Sequence, residues 1–265
     1  MAVNGPPIKV DRESRFEGRV ARVTMDFDGK LNIINKAVMD QFIAEINRLT
    51  DDEELGVVVL RGTQRAFIGG ADIKEMAGLD PGSAREFITS LSEVSRCLRA
   101  LPVPVIAQVC GYCLGGGLEV AAACDMRIAA EGATFGMPEV QVGIPSVIEA
   151  ALLPSLIGWG RTRELVYTGR MISSTEALQY GLVERVVPLN KLHEATNDWI
   201  DHILSAGPRA IRLQKRLLTE WEHLTPDEAI QKGVDFFEEA YKSDEPRTFM
   251  QRFFEDFFGA PQEQE

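Results

Sequence analysis

The tightest constraint on this chain is a run of three glycines, Gly115-Gly116-Gly117, set between an apolar stretch and a helix-like one. Val103 to Cys110 before it is mostly apolar, and Leu118-Glu-Val-Ala-Ala-Ala-Cys124 after it suits a helix. A strand that passes through a glycine turn directly into a helix leaves free backbone N–H groups at the positive end of a dipole. Such a turn is suited to holding an oxyanion. Glu119 falls in the first helical turn, and Gly136-Met137-Pro138-Glu139 brings a second carboxylate twenty residues after it. Two carboxylates beside an oxyanion-holding turn are the means for acid/base chemistry on an activated carbonyl.

A second glycine turn repeats the pattern. Leu55–Arg61 reads as a buried strand, and after it comes Ala66-Phe67-Ile68-Gly69-Gly70-Ala71-Asp72-Ile73-Lys74-Glu75-Met76. This segment, then Gly115-Gly116-Gly117-Leu118-Glu119, the Cys124-Asp125 pair and Phe135-Gly136-Met137-Pro138-Glu139 follow one another in order. Together they resemble the signature of the enoyl-CoA hydratase family within the crotonase superfamily, from about Arg19 to about Pro188.

The resemblance carries several expectations. It implies an α/β fold: a crotonase-like core of repeated strand–strand–helix units over residues 1–195, bearing the acyl-CoA site. A C-terminal helical extension over 196–265 would be used in trimerisation, giving a homo-trimer or hexamer. The ligand would be an acyl-CoA thioester, and the reaction the hydration of a 2-enoyl-CoA to a 3-hydroxyacyl-CoA. Glu119 would activate the water and Glu139 supply the C2 proton, with the N–H groups of Gly69 and Gly116 as the oxyanion hole. Gly69, Gly70, Ala71 and Asp72 would line the thioester and pantetheine path, and backbone groups near Ala66 and Ile68 the adenine pocket. No metal and no redox cofactor is expected, since coenzyme A is part of the substrate. Three alternatives stay open: an isomerase shifting the double bond from C3 to C2, another CoA-thioester enolate reaction, or a non-catalytic acyl-CoA-binding subunit.

The residues themselves narrow the field. Gly115 to Val120 gives G-x-G-x-x-V, without the third glycine that lets helix and strand close around a pyrophosphate, which speaks against a dinucleotide site. No G-x-S-x-G elbow occurs, and His193, His202 and His223 all lie in the last third, which leaves a serine triad without a base. Cys110-Gly-Tyr-Cys113 has redox or zinc spacing, but it ends an apolar strand, where thiols pack as small hydrophobes. Lys plus Arg total 28 against 40 Asp plus Glu, a net charge of −12. Without a basic stripe, nucleic acid is not an expected partner. Met1–Pro7 has no apolar run, no stretch is long enough to span a bilayer, and the last residues carry no targeting tripeptide. The expectation is a cytoplasmic protein with no membrane partner.

Strand and helix patterns alternate to Val187, and helices follow. Asp80-Pro81 should cap a helix reaching about Leu101, and Ser173…Glu176 one ending at Gly181. Phe249 to Phe258 is an aromatic-rich helix with a face suited to burial between subunits. The segment after Glu139 departs from the family pattern, as does Ser243-Asp244-Glu245-Pro246-Arg247-Thr248 near the C-terminus. Where many hydratases carry glycines, this chain has Gly143-Ile144-Pro145-Ser146-Val147-Ile148-Glu149-Ala150. Pro145, Val147 and Glu149 are the candidate acyl-pocket residues. Their added volume and charge predict a branched, cyclic or functionalised acyl group rather than a short straight chain.

Overall fold

Runs of buried β-branched residues frame the first part of the chain. The computed structural model describes residues 7–15, 18–27 and 31–258, which fall into two units, Met1–Ile200 and Asp201–Glu265. In the first unit, β1 (Ile8–Arg15) and β2 (Gly18–Met25) form an antiparallel pair. The short β3 (Ile33–Ile34) precedes α1 (Lys36–Thr50), which Asn35 caps by accepting the Val38 N–H. The strand β4 (Leu55–Arg61) follows, then β5 (Ala66–Ile68), β6 (Gly70–Ala71) and the single turn α2 (Ile73–Met76). Helix α3 (Pro81–Arg99) starts at Asp80 with a reciprocal cap to Ser83, as its Asp-Pro start predicts.

Next come β7 (Val105–Val109), β8 (Tyr112–Leu114), α4 (Gly116–Ala122), β9 (Met126–Ala130) and β10 (Thr134–Gly136). The rest comprises α5 (Leu153–Thr168), β11 (Met171–Ser173), α6 (Ser174–Tyr180), β12 (Arg185–Val187) and α7 (Leu192–Leu204).

The larger sheet has the order β1-β2-β4-β7-β9-β12, parallel throughout except for the β1/β2 pair. The second sheet runs β11-β10-β8-β5, with β5, β8 and β10 parallel. Residues of both sheets and of α1, α3 and α4 share one core, including Phe42, Phe67, Leu98, Leu118 and Phe135. Parallel strands buried on both faces account for near-continuous apolar segments such as Val57-Val-Val-Leu60.

The second unit contains α8 (Pro208–Trp221), α9 (Pro226–Ala240) and α10 (Glu245–Phe258). Leu213, Leu217 and Phe236 form its small core. Glu245 reaches the start of α8, accepting the N–H groups of Ala210 at 2.7 Å and Arg209 at 3.0 Å. No helix among the described residues is long and apolar enough to cross a membrane.

Candidate active site

The second sheet explains how distant glycine turns meet. β5 and β8 are parallel neighbours, so the turns that leave their carboxyl ends, Gly69–Ala71 and Gly115–Gly116, emerge side by side. β10 lies on the other side of β8, with Gly136 opposite Leu114, and delivers Glu139 to the same edge. The Gly115 N–H donates to the Gly136 carbonyl at 2.9 Å, which ties the two turns together. Three strand ends thus surround a cavity of about 320 Å³ lined by Ala71, Gly116, Glu119 and Glu139.

Glycine is required here for identifiable reasons. Gly115 has φ of 52°, and a Cβ on it would collide with the Glu139 carboxylate. A Cβ on Gly117 would collide with the Ile68 carbonyl, so α4 can only approach β5 this closely with glycine. Gly116 is the first residue of α4, where the N–H has no intrahelical acceptor. It faces the cavity.

Gly69 has a different role from the expected one. Its N–H donates to the Leu31 carbonyl at 2.7 Å, and a Cβ there would press on that same carbonyl. Its glycine identity therefore reflects close packing of the Leu31 segment, and its donor is engaged. Three residues on, the Asp72 N–H donates to the Ile34 carbonyl at 2.9 Å. In a parallel pair the N–H next to a bonded one points the other way, so the Ala71 N–H is turned away from β3, and Ala71 lines the cavity.

Asn32 holds this arrangement and was not singled out by the sequence. Fully buried, its amide donates to the carbonyls of Met25 (2.9 Å), Ala66 and Phe67 (both 3.1 Å). Its φ of 52° suits asparagine.

The remaining expected substrate contacts separate. Gly69, Gly70 and Ala71 line the cavity, whereas Ala66, Ile68 and Asp72 do not. Ala66 and Ile68 are fully buried, and the Ala66 N–H and C=O are both bonded to Thr63. The Asp72 carboxylate caps α2 through the N–H groups of Lys74 and Glu75.

Both glutamates face the cavity, in unlike surroundings. Glu119 is 3% exposed and accepts one hydrogen bond, from the Ala150 N–H at 3.0 Å. Burial, together with the charges of Glu139 and Glu149, pushes its carboxyl up to about 9. Glu139 accepts from the Ser146 hydroxyl at 2.8 Å, a partner the sequence did not suggest.

Of the three candidate acyl-pocket residues, Pro145 and Val147 line the cavity. Glu149 does not. Its carboxylate turns to α3 and accepts from the Ser92 hydroxyl at 3.1 Å. Ile73, Met76, Phe87, Ile88 and Leu91 complete a wall that is apolar apart from Glu119, Glu139 and Gln141. The expected extra charge in the pocket is absent because the turn at Ile148–Leu152 aims Glu149 outward at the helix.

The cysteines behave as packing groups. Cys97 and Cys113 are buried, and burial pushes the Cys97 thiol up to about 12 and Cys113 well above its ordinary value. Cys110 is half-buried and also raised by burial.

A family model described as enoyl-CoA hydratase/isomerase matches residues 15–258. The chain belongs to that family. It is 34% identical to a short-chain-enoyl-CoA hydratase of Clostridium acetobutylicum over 90% of this chain and 92% of that one. It is likewise 34% identical to a crotonyl-CoA hydratase of Syntrophomonas wolfei, over 90% and 93% of the two chains. An enoyl-CoA hydratase from Bacillus anthracis, solved at 1.8 Å, superposes with a TM-score of 0.89 at 33% identity, covering 95% of this chain and 97% of that one. The architecture is the mixed α/β crotonase fold with a C-terminal helical region.

Proposed function

We propose that this protein is a hydro-lyase that adds water to a 2-enoyl-CoA, giving a 3-hydroxyacyl-CoA. The carrying observation is that two carboxylates, Glu119 and Glu139, line one apolar cavity beside two glycine turns. Relatives named as hydratases over nine-tenths of the chain support the same reading.

In this mechanism the thioester oxygen sits between the N–H groups of Ala71 and Gly116, Ala71 taking the place first expected of Gly69. A water is held between the carboxylates. The water first relays the resting proton of Glu119 to Glu139; its oxygen lone pair then forms the bond to C3 while one of its protons passes to the ionised Glu119. The C2=C3 π electrons move toward the thioester, and the enolate oxygen is stabilised by donors fixed before reaction, each worth about 3–4 kcal/mol of barrier. Glu139 then delivers a proton to C2. The net change is H–OH added across C2=C3, and the proton taken from the water leaves Glu119 protonated and Glu139 ionised, as at the start.

Such chemistry needs one proton on the pair at the start. Burial pushes Glu119 up to about 9, so it holds that proton at neutral pH. Water and the two carboxylates suffice for this step, so no metal or redox cofactor enters the proposal.

We also infer a homo-trimer or hexamer acting in the cytoplasm. α9 exposes Ile230, Val234 and Phe237 at helical spacing, with Tyr241 just beyond it, and α10 exposes Met250, Phe253, Phe254 and Phe257. These faces favour assembly, and a monomeric mass by light scattering at micromolar concentration would refute it.

The decisive experiment follows C2 deuterium and C3 hydroxyl incorporation from heavy water into a 2-enoyl-CoA. Wild type should incorporate both, and Glu119→Gln and Glu139→Gln should each cut turnover by orders of magnitude while leaving binding nearly intact. Faster conversion of a 3-enoyl-CoA, with Glu119→Gln fully active, would make it an isomerase. Binding without incorporation would make it a non-catalytic acyl-CoA-binding subunit.

A further inference from the structure

Glu149 is the acidic residue of the site region that the hydration chemistry leaves unused. It belongs to the turn Ile148–Leu152, whose next residue supplies the Ala150 N–H to Glu119 and whose preceding residue, Val147, forms cavity wall. That turn is not at rest. Ile148 has φ of 40°, a conformation that a β-branched residue adopts only when its surroundings hold it there. Ile148 packs on the core, and the Ser92–Glu149 hydrogen bond is the polar tie from the turn to α3. Helix α3 in turn supplies Phe87, Ile88 and Leu91 to the cavity. The Ser95 hydroxyl, fully buried, stands near enough to act on the Glu149 carboxylate but falls short of a hydrogen bond, and Glu149 Oε2 is buried without a partner.

We infer that Glu149 is a positioning residue whose carboxylate, anchored on Ser92 of α3, clamps the Val147–Ala150 turn and thereby holds the Ala150 N–H on Glu119. The chain's departure from a glycine-rich segment is then self-consistent. A flexible turn is replaced by branched residues in a strained conformation, and Glu149 fastens it to the helix that forms the opposite wall. Its effect on catalysis rests on the hydratase reading; its effect on the turn does not.

Two measurements on the full-length protein test this. In turnover of a 2-enoyl-CoA, Glu149→Ala should lower kcat about tenfold or more with KM changed less than about threefold, because the acyl wall persists while Glu119 loses its fixed partner. Glu149→Gln keeps an acceptor for Ser92 and adds a donor for the Ser95 hydroxyl, so it should stay within about threefold of wild type. Ser92→Ala should reproduce part of the Glu149→Ala loss, and the double variant should be no worse than Glu149→Ala alone. Independently, amide hydrogen exchange across residues 147–152 should rise at least tenfold in Glu149→Ala and little in Glu149→Gln. Wild-type exchange in Glu149→Ala, equal losses in the Ala and Gln variants, or additive single effects would each overturn the clamp. A wild-type protein inert toward every 2-enoyl-CoA would refute the hydratase reading instead, and the exchange experiment would still decide the clamp.

Discussion

Replacing Glu119 by glutamine should stabilise the protein while disabling it. The carboxyl is 3% exposed and has a folded-state value of about 9, against 4.5 as its reference. Between these values the native state holds a proton that the unfolded chain releases, so νN exceeds νU and stability falls as pH rises through the window. The slope for one proton is about 1 kcal/mol per pH unit. Summed from the unfolded value to pH 7, the cost is roughly 3 kcal/mol. A glutamine side chain in its place has no proton to lose, and its oxygen can still accept the Ala150 N–H. Urea unfolding of wild type and Glu119→Gln at equal protomer concentration, from pH 5 to pH 8, should therefore diverge. The variant's advantage should be smallest at pH 5 and grow by about 1 kcal/mol per unit. An advantage that does not change with pH would refute the claim that Glu119 is held neutral in the fold, and with it the supply of a proton to the pair.

The same value sets an alkaline limb. kcat/KM for hydration should fall above about pH 9, where Glu119 loses its proton, and a profile still flat at about pH 10 would contradict the proton-relay mechanism. Ser146→Ala removes the hydroxyl that donates to Glu139 and should lower kcat about tenfold with little change in fold, the scale of one charge-assisted hydrogen bond. Gly115→Ala should cost about 1–3 kcal/mol of stability from its positive φ and nearly all turnover, since the new methyl displaces the Glu139 carboxylate; urea unfolding and turnover report the two effects. In the helical unit, Glu245→Ala should cost about 1 kcal/mol by uncapping α8, read as faster amide exchange at Arg209 and Ala210. With Glu149 off the cavity wall, an apolar acyl group should outcompete a charged one in a turnover screen, and Val147→Gly should shift preference toward larger chains by about tenfold.

What the sequence made legible was local. The Asp80-Pro81 start, the Ser173…Glu176 cap and the stop at Gly181 each need only neighbouring residues, and each stands where the pattern put it. Glu119 and Glu139 were legible because they are embedded in glycine turns of recognisable order. The misassignment of the first donor has a physical source: Gly69 and Gly70 both look permissive on paper. Both Gly69 and Ala71, an ordinary residue type, line the cavity, and only the long-range approach of Leu31 decides that the Gly69 N–H is already engaged. The same limit hid Asn32, whose amide spans three carbonyls from two separate strands, and β1, whose charged sequence gives no core-facing alternation until it pairs at the sheet edge.

Glu149 shows that limit most sharply. Volume and charge inserted beside an acyl pocket predict a polar pocket only if the inserted side chain points inward. Direction at that position is set by the backbone of a turn whose Ile148 takes a conformation that no propensity would assign. The charge is turned to α3, the pocket keeps its apolar wall, and the adjoining N–H is left on the buried Glu119 carboxyl. Placing an acid where water is excluded is costly to the fold, but that exclusion is what keeps a proton on Glu119 at neutral pH. A segment that held Glu119 less firmly would let water in, lower its proton affinity and recover stability. The strain at Ile148 and the burial of Glu119 are thus two parts of one requirement: a carboxyl kept dry and fixed beside the cavity.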